Sequence, residues 1–340
     1  ARKDLDWFRE RIQEKFPVKF RGRLGPTDKD DKEIRILNRI ITWTEEGILY
    51  EADQRHAEII IREMNLKADS KTAVTPFEKT LGVEDDPLVD GSEATQYRGI
   101  VARGNYLAQD RTDLGYAVKE LSKEMSNPRR EGWGKLKRLA RYLKGRPRLV
   151  MRFDYQSEVR GVTVWTDTDF AGCVKSRKST SAGLIQLGGH LIKSWSTNQA
   201  VIALSSGEAE YYGLVKGASM GLGAVAIIHD LGCDYENALE IRTDASAAIG
   251  IANRIGIGKI RHIETNQLWL QQKVLEGKLV VSKVKGEDNL ADALTKPVDG
   301  KLLTEHLVRV GSILPEGRHA LAPVLEATEE EVVQGECDEA

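Results

Sequence analysis

The chain has 340 residues, 41% of them hydrophobic and 30% charged, and a formal net charge of -2; with a mean hydropathy of -0.39 this is the composition of a globular protein of one large or two ordinary domains. The longest apolar candidate, Gly217 to Ile228, falls short of the roughly 20 residues needed to cross a bilayer, so no membrane partner is expected. Three widely spaced cysteines, Cys173, Cys233 and Cys337, offer neither a zinc motif nor a disulfide framework and imply a reducing, intracellular setting.

The first residue is Ala1 and no signal-peptide pattern follows, so the chain reads as part of something longer. Residues 1–75 mix short elements: "EIRILNRIITW" is rich in β-formers, and "ILYEADQRHAEIIIREMNL" passes from a strand into an amphipathic helix. "TAVTPFEKTLGVEDDPLVDGSE" is a loop and a domain boundary. Two helices are expected near 94–108 and 111–126. In the next stretch Trp133, Leu136, Leu139, Ala140 and Leu143 recur at helical spacing, with Lys135, Lys137, Arg138, Arg141 and Lys144 on the other faces and Pro147 beyond the end. Between Arg129 and Arg152 there are ten Lys/Arg against one acid, a charge suited to phosphates or to a solvated helix face. From 161 a strand is followed by a hairpin around Gly188-Gly189, a long helix opened by a Ser cap, a strand ending at Asp244, a short helix, a helix stopped by Gly277, the strand "LVVSKV" and a last helix in "EDNLADALTKP". The last fifteen residues carry seven acids and no base, a tail expected to be disordered.

The order β-β-β-α-β-α-α-β-α predicts one mixed five-stranded sheet with flanking helices. Its first strand and the strand at 239–243 are natural parallel neighbours, and both run into acid. Asp167 and Asp244 would then share the carboxyl edge, where open α/β sheets place their sites. The long helix adds Glu208 or Glu210, which periodicity does not separate, and "NLAD" adds Asp292. Singly each acid has an ordinary explanation, as a turn former, a helix-dipole partner or a solvated charge. Together they would repel unless a cation neutralised them, and oxygen ligation suits Mg²⁺ or Mn²⁺. Two such ions about 3.5–4 Å apart would suit phosphodiester hydrolysis.

These residues also carry a likeness. "WTDTDFAGC", "SRKSTSAGLIQLGGHLIKSWSTNQ", "ALSSGEAEYYGL", "IRTDASAAIGIAN", "KIRHIETNQLWLQQKVLEGK" and "NLADALTKPV" resemble the ribonuclease H domain of copia-type retrotransposon Pol polyproteins. Upstream, "YRGIVARGNYLAQDRTDLGYAVKELSKEMSNP" and "LKRLARYLKG" are similar to the end of the reverse transcriptase of that family. The resemblance implies a ribonuclease H-like α/β domain over 156–300, preceded by a smaller α+β region: a palm remnant over 1–75 and a thumb or connection over 76–155. A C-terminal helix and the acidic tail would fill 301–340. It implies Asp167, Glu210, Asp244 and Asp292 as catalytic metal ligands, choosing Glu210 over Glu208 and Asp167 over Asp169. The implied activity is endonucleolytic cleavage of the RNA strand of an RNA–DNA hybrid with two Mg²⁺ or Mn²⁺ ions. The rest of the Pol polyprotein is the implied partner, in a cytoplasmic virus-like particle or the nucleus.

Two departures qualify the likeness. The family's adjacent polymerase aspartates have no counterpart here, so DNA synthesis by this chain alone is not expected. The loop "VKGEDN" lacks the histidine that related enzymes place before the last carboxylate, which leaves His262 as an accessory or structural group. Candidate nucleic-acid contacts are Ser205, Ser206, Asn198 and Gln199 for sugar hydroxyls, Arg177 and Lys178 for phosphates, and Lys135, Arg138 and Arg141 on the basic helix. The rival readings are a silent, domesticated nucleic-acid-binding remnant, a DNA nuclease or strand-transfer enzyme on the same fold, and a scaffold module.

Overall fold

A computed structural model describes residues 2–79, 85–159, 161–233, 238–258 and 262–325. Its N-terminal half opens with α1 (Arg2–Lys15) and a meander of β1 (Glu33–Ile36), β2 (Arg39–Trp43) and β3 (Gly47–Glu51). Leu37 and Asn38 join β1 to β2, both at positive φ, the two-residue turn whose twist suits a hairpin. Next come α2 (Gln54–Glu63), α3 (Gly91–Leu107), α4 (Gly115–Ser122) and α5 (Arg130–Gly145). Asp53 and Asp90 cap α2 and α3 by accepting the N–H groups of Arg55 and Glu93. The helices bury Ile60, Tyr97, Ile100, Leu107, Leu136, Leu139 and Leu143 in one core. β4 (Val150–Asp154) returns antiparallel to β3.

The C-terminal half contains β5 (Val162–Asp169), β6 (Thr180–Leu187), β7 (His190–Asn198), α6 (Ser206–Asp230), β8 (Leu239–Thr243), α7 (Ser246–Ala252), α8 (Trp269–Leu275) and β9 (Leu279–Lys283). The sheet order is β7-β6-β5-β8-β9. β5, β6 and β7 pair antiparallel, whereas β8 and β9 continue parallel from β5. This is the mixed five-stranded sheet expected from the sequence. α9 (Gly300–Arg309) and β10 (Ser312–Ile313) follow, and β10 pairs with β4, so the chain's end closes the N-terminal sheet. The acidic stretch 326–340 lies outside the described residues.

Three sequence expectations need correction. The segment "EDNLADALTKP" forms two 3-10 turns, Gly286–Asp288 and Asp292–Leu294, instead of a helix. Buried Asn289 bonds the Thr166 carbonyl at 3.0 Å and the Ala291 N–H at 3.1 Å. That pins the segment to β5, and Pro297 disfavours helix just before it. The helix expected from Arg261 begins as a 3-10 turn, Thr265–Leu268, ahead of α8. α6 spans 25 residues and, by length and composition alone, could cross a membrane, which the shorter apolar stretch did not suggest. Here it is the core helix of the sheet, burying Tyr211, Leu214 and Ala218 against β5 and β8 side chains.

α6 sits close to β5 because Gly213, Gly217 and Gly221 face it. A Cβ on Gly213 would lie 2.7 Å from Thr168 Oγ1, on Gly217 2.5 Å from Thr166 Cγ2, and on Gly221 2.7 Å from Val164 Cγ2. Glycines one helical turn apart thus set the helix–strand spacing, and with it the height of Glu210 over the end of β5.

Candidate metal centre

β5 and β8 pair as far as Trp165 and Arg242. Asp167 and Asp244 are each two residues further on, so the register brings them level at the carboxyl edge. α6 supplies Glu210 from its second turn. Ligand oxygens of Asp167, Glu210 and Asp244 all lie within 4.8 Å of one another. Asp167 is only 7% exposed, and its Oδ2 accepts a hydrogen bond from the Thr295 hydroxyl.

Burial pushes the Asp167 carboxyl up to about 6, with the charges of Asp292 and Asp244 adding to the effect. Burial likewise raises Glu210 to about 9, reinforced by Asp167 and Asp244. The Thr168 N–H serves the Glu210 carboxylate, yet Glu210 Oε2 is buried with no hydrogen-bond partner. An orphaned, buried carboxylate oxygen facing two other carboxylates is costly without a cation. The all-oxygen donor set fits Mg²⁺ or Mn²⁺.

The structure also separates Glu208 from Glu210. Glu208 completes the N-terminal cap of α6: its N–H bonds Ser205 Oγ at 3.2 Å, and its Oε2 accepts the Leu204 N–H at 3.0 Å. Its carboxylate also meets His262 Nε2 at 2.7 Å and the Tyr212 hydroxyl at 2.8 Å. These bonds hold Glu208 below the usual carboxylate range despite its burial. His262 therefore braces the start of the helix and does not face the three clustered acids.

Asp292 stands outside the group of three and forms an ion pair with Lys296. It remains near enough to act on Asp167 electrostatically, and Lys296 acts on both. Thr295 and Lys296 escaped the residue-by-residue reading, although both lie in the "LTKP" that follows Asp292 in the quoted signature.

The other candidates are scattered. Gln199 is buried, its amide bonded to Ser181 Oγ at 2.8 Å and the Ala209 carbonyl at 2.7 Å, which makes it a brace between β6 and α6. Ser205 is occupied as the cap, while Asn198, Ser206 and Arg177 are exposed and Lys178 half-buried. On α5, Lys135 pairs with Glu131 at 3.0 Å and Arg138 with Glu78 at 2.7 Å. Arg141 is half-buried. The basic helix is thus partly neutralised from within the chain.

No protein-family model matches the chain. It is 32% identical over 222 residues to the retrovirus-related Pol polyprotein from transposon RE2 of Arabidopsis thaliana, an alignment covering 65% of this chain and 15% of that polyprotein. It is 25% identical over 261 residues to the corresponding polyprotein from transposon TNT 1-94 of Nicotiana tabacum, covering 74% and 19%. The chain is related in sequence to the retrovirus-related Pol polyproteins of copia-type transposons. It spans less than a fifth of the length of either relative. Among solved structures it is similar to the N-terminal RNase H domain of Rv2228c from Mycobacterium tuberculosis, with a TM-score of 0.29 and 15% identity over 44% of this chain and 98% of that one. The mixed sheet runs through three antiparallel strands and then two parallel ones, the order expected from the sequence.

Proposed function

We propose that residues 156–300 form a ribonuclease H that hydrolyses the RNA strand of an RNA–DNA hybrid. The observation that carries this reading is the convergence of Asp167, Glu210 and Asp244 at the edge shared by two parallel strands, in a chain related in sequence to Pol polyproteins. Asp167, Glu210 and Asp244 would hold two Mg²⁺ or Mn²⁺ ions, with Asp292 as a fourth ligand; the ions would supply an activated water and a stabilised leaving oxygen.

The chain's own groups prepare that chemistry. Thr295 fixes the Asp167 carboxylate by donating to Oδ2, leaving Oδ1 for the ions. The Thr168 N–H orients Glu210. Ser205, Glu208 and His262 hold the first turn of α6, on which the height of Glu210 depends. Exposed Asn198 ends β7 level with Asp169, and exposed Ser206 opens α6 four residues before Glu210; both are suited to a ribose 2′-hydroxyl. Arg177 and Lys178, on the loop joining β5 to β6, are suited to phosphates.

The test is cleavage of matched RNA–DNA, RNA–RNA and DNA–DNA duplexes with Mg²⁺ or Mn²⁺. Cleavage confined to the RNA strand of the hybrid supports the proposal. Equal cleavage of DNA–DNA would point to a DNA nuclease, and binding to hybrid without cleavage to a silent module.

A further inference from the structure

Lys135, Arg138, Arg148, Lys273 and Lys296 each have a carboxylate partner. Lys216 and Lys193 are among the cations that do not. Lys216, on α6, is half-buried and donates to Thr197 Oγ1 at 2.6 Å. Neither it nor exposed Lys193, on β7, has an ion-pair partner among the described residues. Burial and the positive charge of Lys193 together hold the Lys216 ammonium below its ordinary range. Two neighbouring ammonium groups, one partly removed from water and neither neutralised, make a local excess of positive charge that favours an anion.

The position of the pair says which anion. Thr197 is the register partner of Ser181, and Ser181 of Thr168. The Thr197 hydroxyl donates to the Ser181 carbonyl at 3.5 Å, and the Ser181 and Thr168 hydroxyls lie 3.4 Å apart. A row of hydroxyl residues thus runs across three strands from Lys216 to Thr168, whose N–H serves Glu210. Two strand spacings cover about 10 Å. Lys216 is also six residues beyond Glu210 on one helix, about 9 Å along its axis. A duplex laid over the carboxylates presents further backbone phosphates within that reach.

We propose that Lys216, Lys193 and the Thr197 hydroxyl form a phosphate subsite that grips the nucleic-acid backbone beside the catalytic carboxylates. It rests on the nucleic-acid reading proposed above and adds a contact that the motif residues do not include. The subsite reads charge and not sequence, so it acts on hybrid and DNA duplex alike.

The test is the salt dependence of duplex binding, measured on the full chain carrying Asp244→Asn so that no substrate is consumed. Labelled hybrid and DNA duplexes of equal length serve as probes. Lys216→Gln and Lys193→Gln are each expected to flatten the plot of log K against log salt by about one unit with both duplexes. Lys216→Arg should retain the slope, as should the control Lys278→Gln, whose ammonium already faces Glu276. Lys193 is exposed, so its substitution keeps the test open if the Lys216 variant misfolds. Slopes unchanged in both Gln variants would overturn the subsite while leaving hybrid cleavage by the wild type untouched. Flattened slopes, together with no hybrid cleavage by the wild type, would support the subsite and overturn the nuclease reading.

Discussion

At the scale of single residues, the cluster is held together against its own charge. Asp167 and Glu210 both have raised pKa values, from 3.8 to about 6 and from 4.5 to about 9, so the metal-free folded chain keeps protons that the unfolded chain has released. Stability should therefore fall as pH rises from about 4 through these values, and stay low above them. Asp167→Asn or Glu210→Gln removes the penalty and is expected to stabilise the metal-free protein by about 1–3 kcal/mol near pH 8. Thermal melts in a chelator across that range check it, and unchanged melting in both variants would refute it. Glu208 behaves oppositely, because its carboxylate serves Leu204, Tyr212 and His262. Glu208→Ala should cost about 1–3 kcal/mol at neutral pH, read as a lower urea midpoint.

Among elements, α6 and the segment around Asp113 matter most. The glycine face of α6 toward β5 leaves no room for larger side chains: Gly217→Val would force the helix outward, costing about 1–3 kcal/mol and lifting Glu210 from the other carboxylates. Weaker Mn²⁺ binding, measured by calorimetry, should accompany the loss of stability. Unaltered binding would mean that the spacing of α6 does not set the site. Further upstream, fully buried Arg111 meets Asp113 through Nε at 3.1 Å and Nη2 at 2.5 Å, and Tyr142 donates to the same carboxylate at 2.7 Å. Arg111 also bonds the Arg146 carbonyl at 2.8 Å, which fixes the exit from α5. Asp113→Ala leaves that guanidinium buried and uncompensated, a loss of about 3–5 kcal/mol that denaturant unfolding would register.

Across the whole molecule, the two halves of the chain are tied by several threads: β10 on β4, Lys119 to Thr180 Oγ1 at 3.0 Å, and Arg146 to Thr304 Oγ1 at 3.0 Å. None of these was legible in the sequence, because each joins residues far apart in the chain through chemistry common to any surface. The second sheet was legible, since a hairpin with a Gly-Gly turn and β-branched strands separated by amphipathic helices admit few arrangements. That both parallel strands end in acid followed from that topology, whereas choosing Asp167 over Asp169 needed the family likeness, and choosing Glu210 over Glu208 needed either that likeness or the cap geometry. The ion pair of Asp292 with Lys296 depends on the 3-10 turns that replace the expected helix, and the partial neutralisation of α5 depends on acids as distant as Glu78. Periodicity reports which face of a helix is polar but not which charges meet there.

The most direct test of the central claim is single-turnover cleavage of a labelled RNA–DNA hybrid in Mg²⁺ by the wild type, Asp244→Asn and Asp169→Asn. Asp169 lies two residues beyond Asp167 on the same strand but outside the group of three, so it controls for a general loss of negative charge at that edge. The account predicts cleavage of the RNA strand by the wild type and Asp169→Asn, and none by Asp244→Asn. Cleavage that survives in Asp244→Asn would contradict it, because the three clustered carboxylates could not then be the site of hydrolysis.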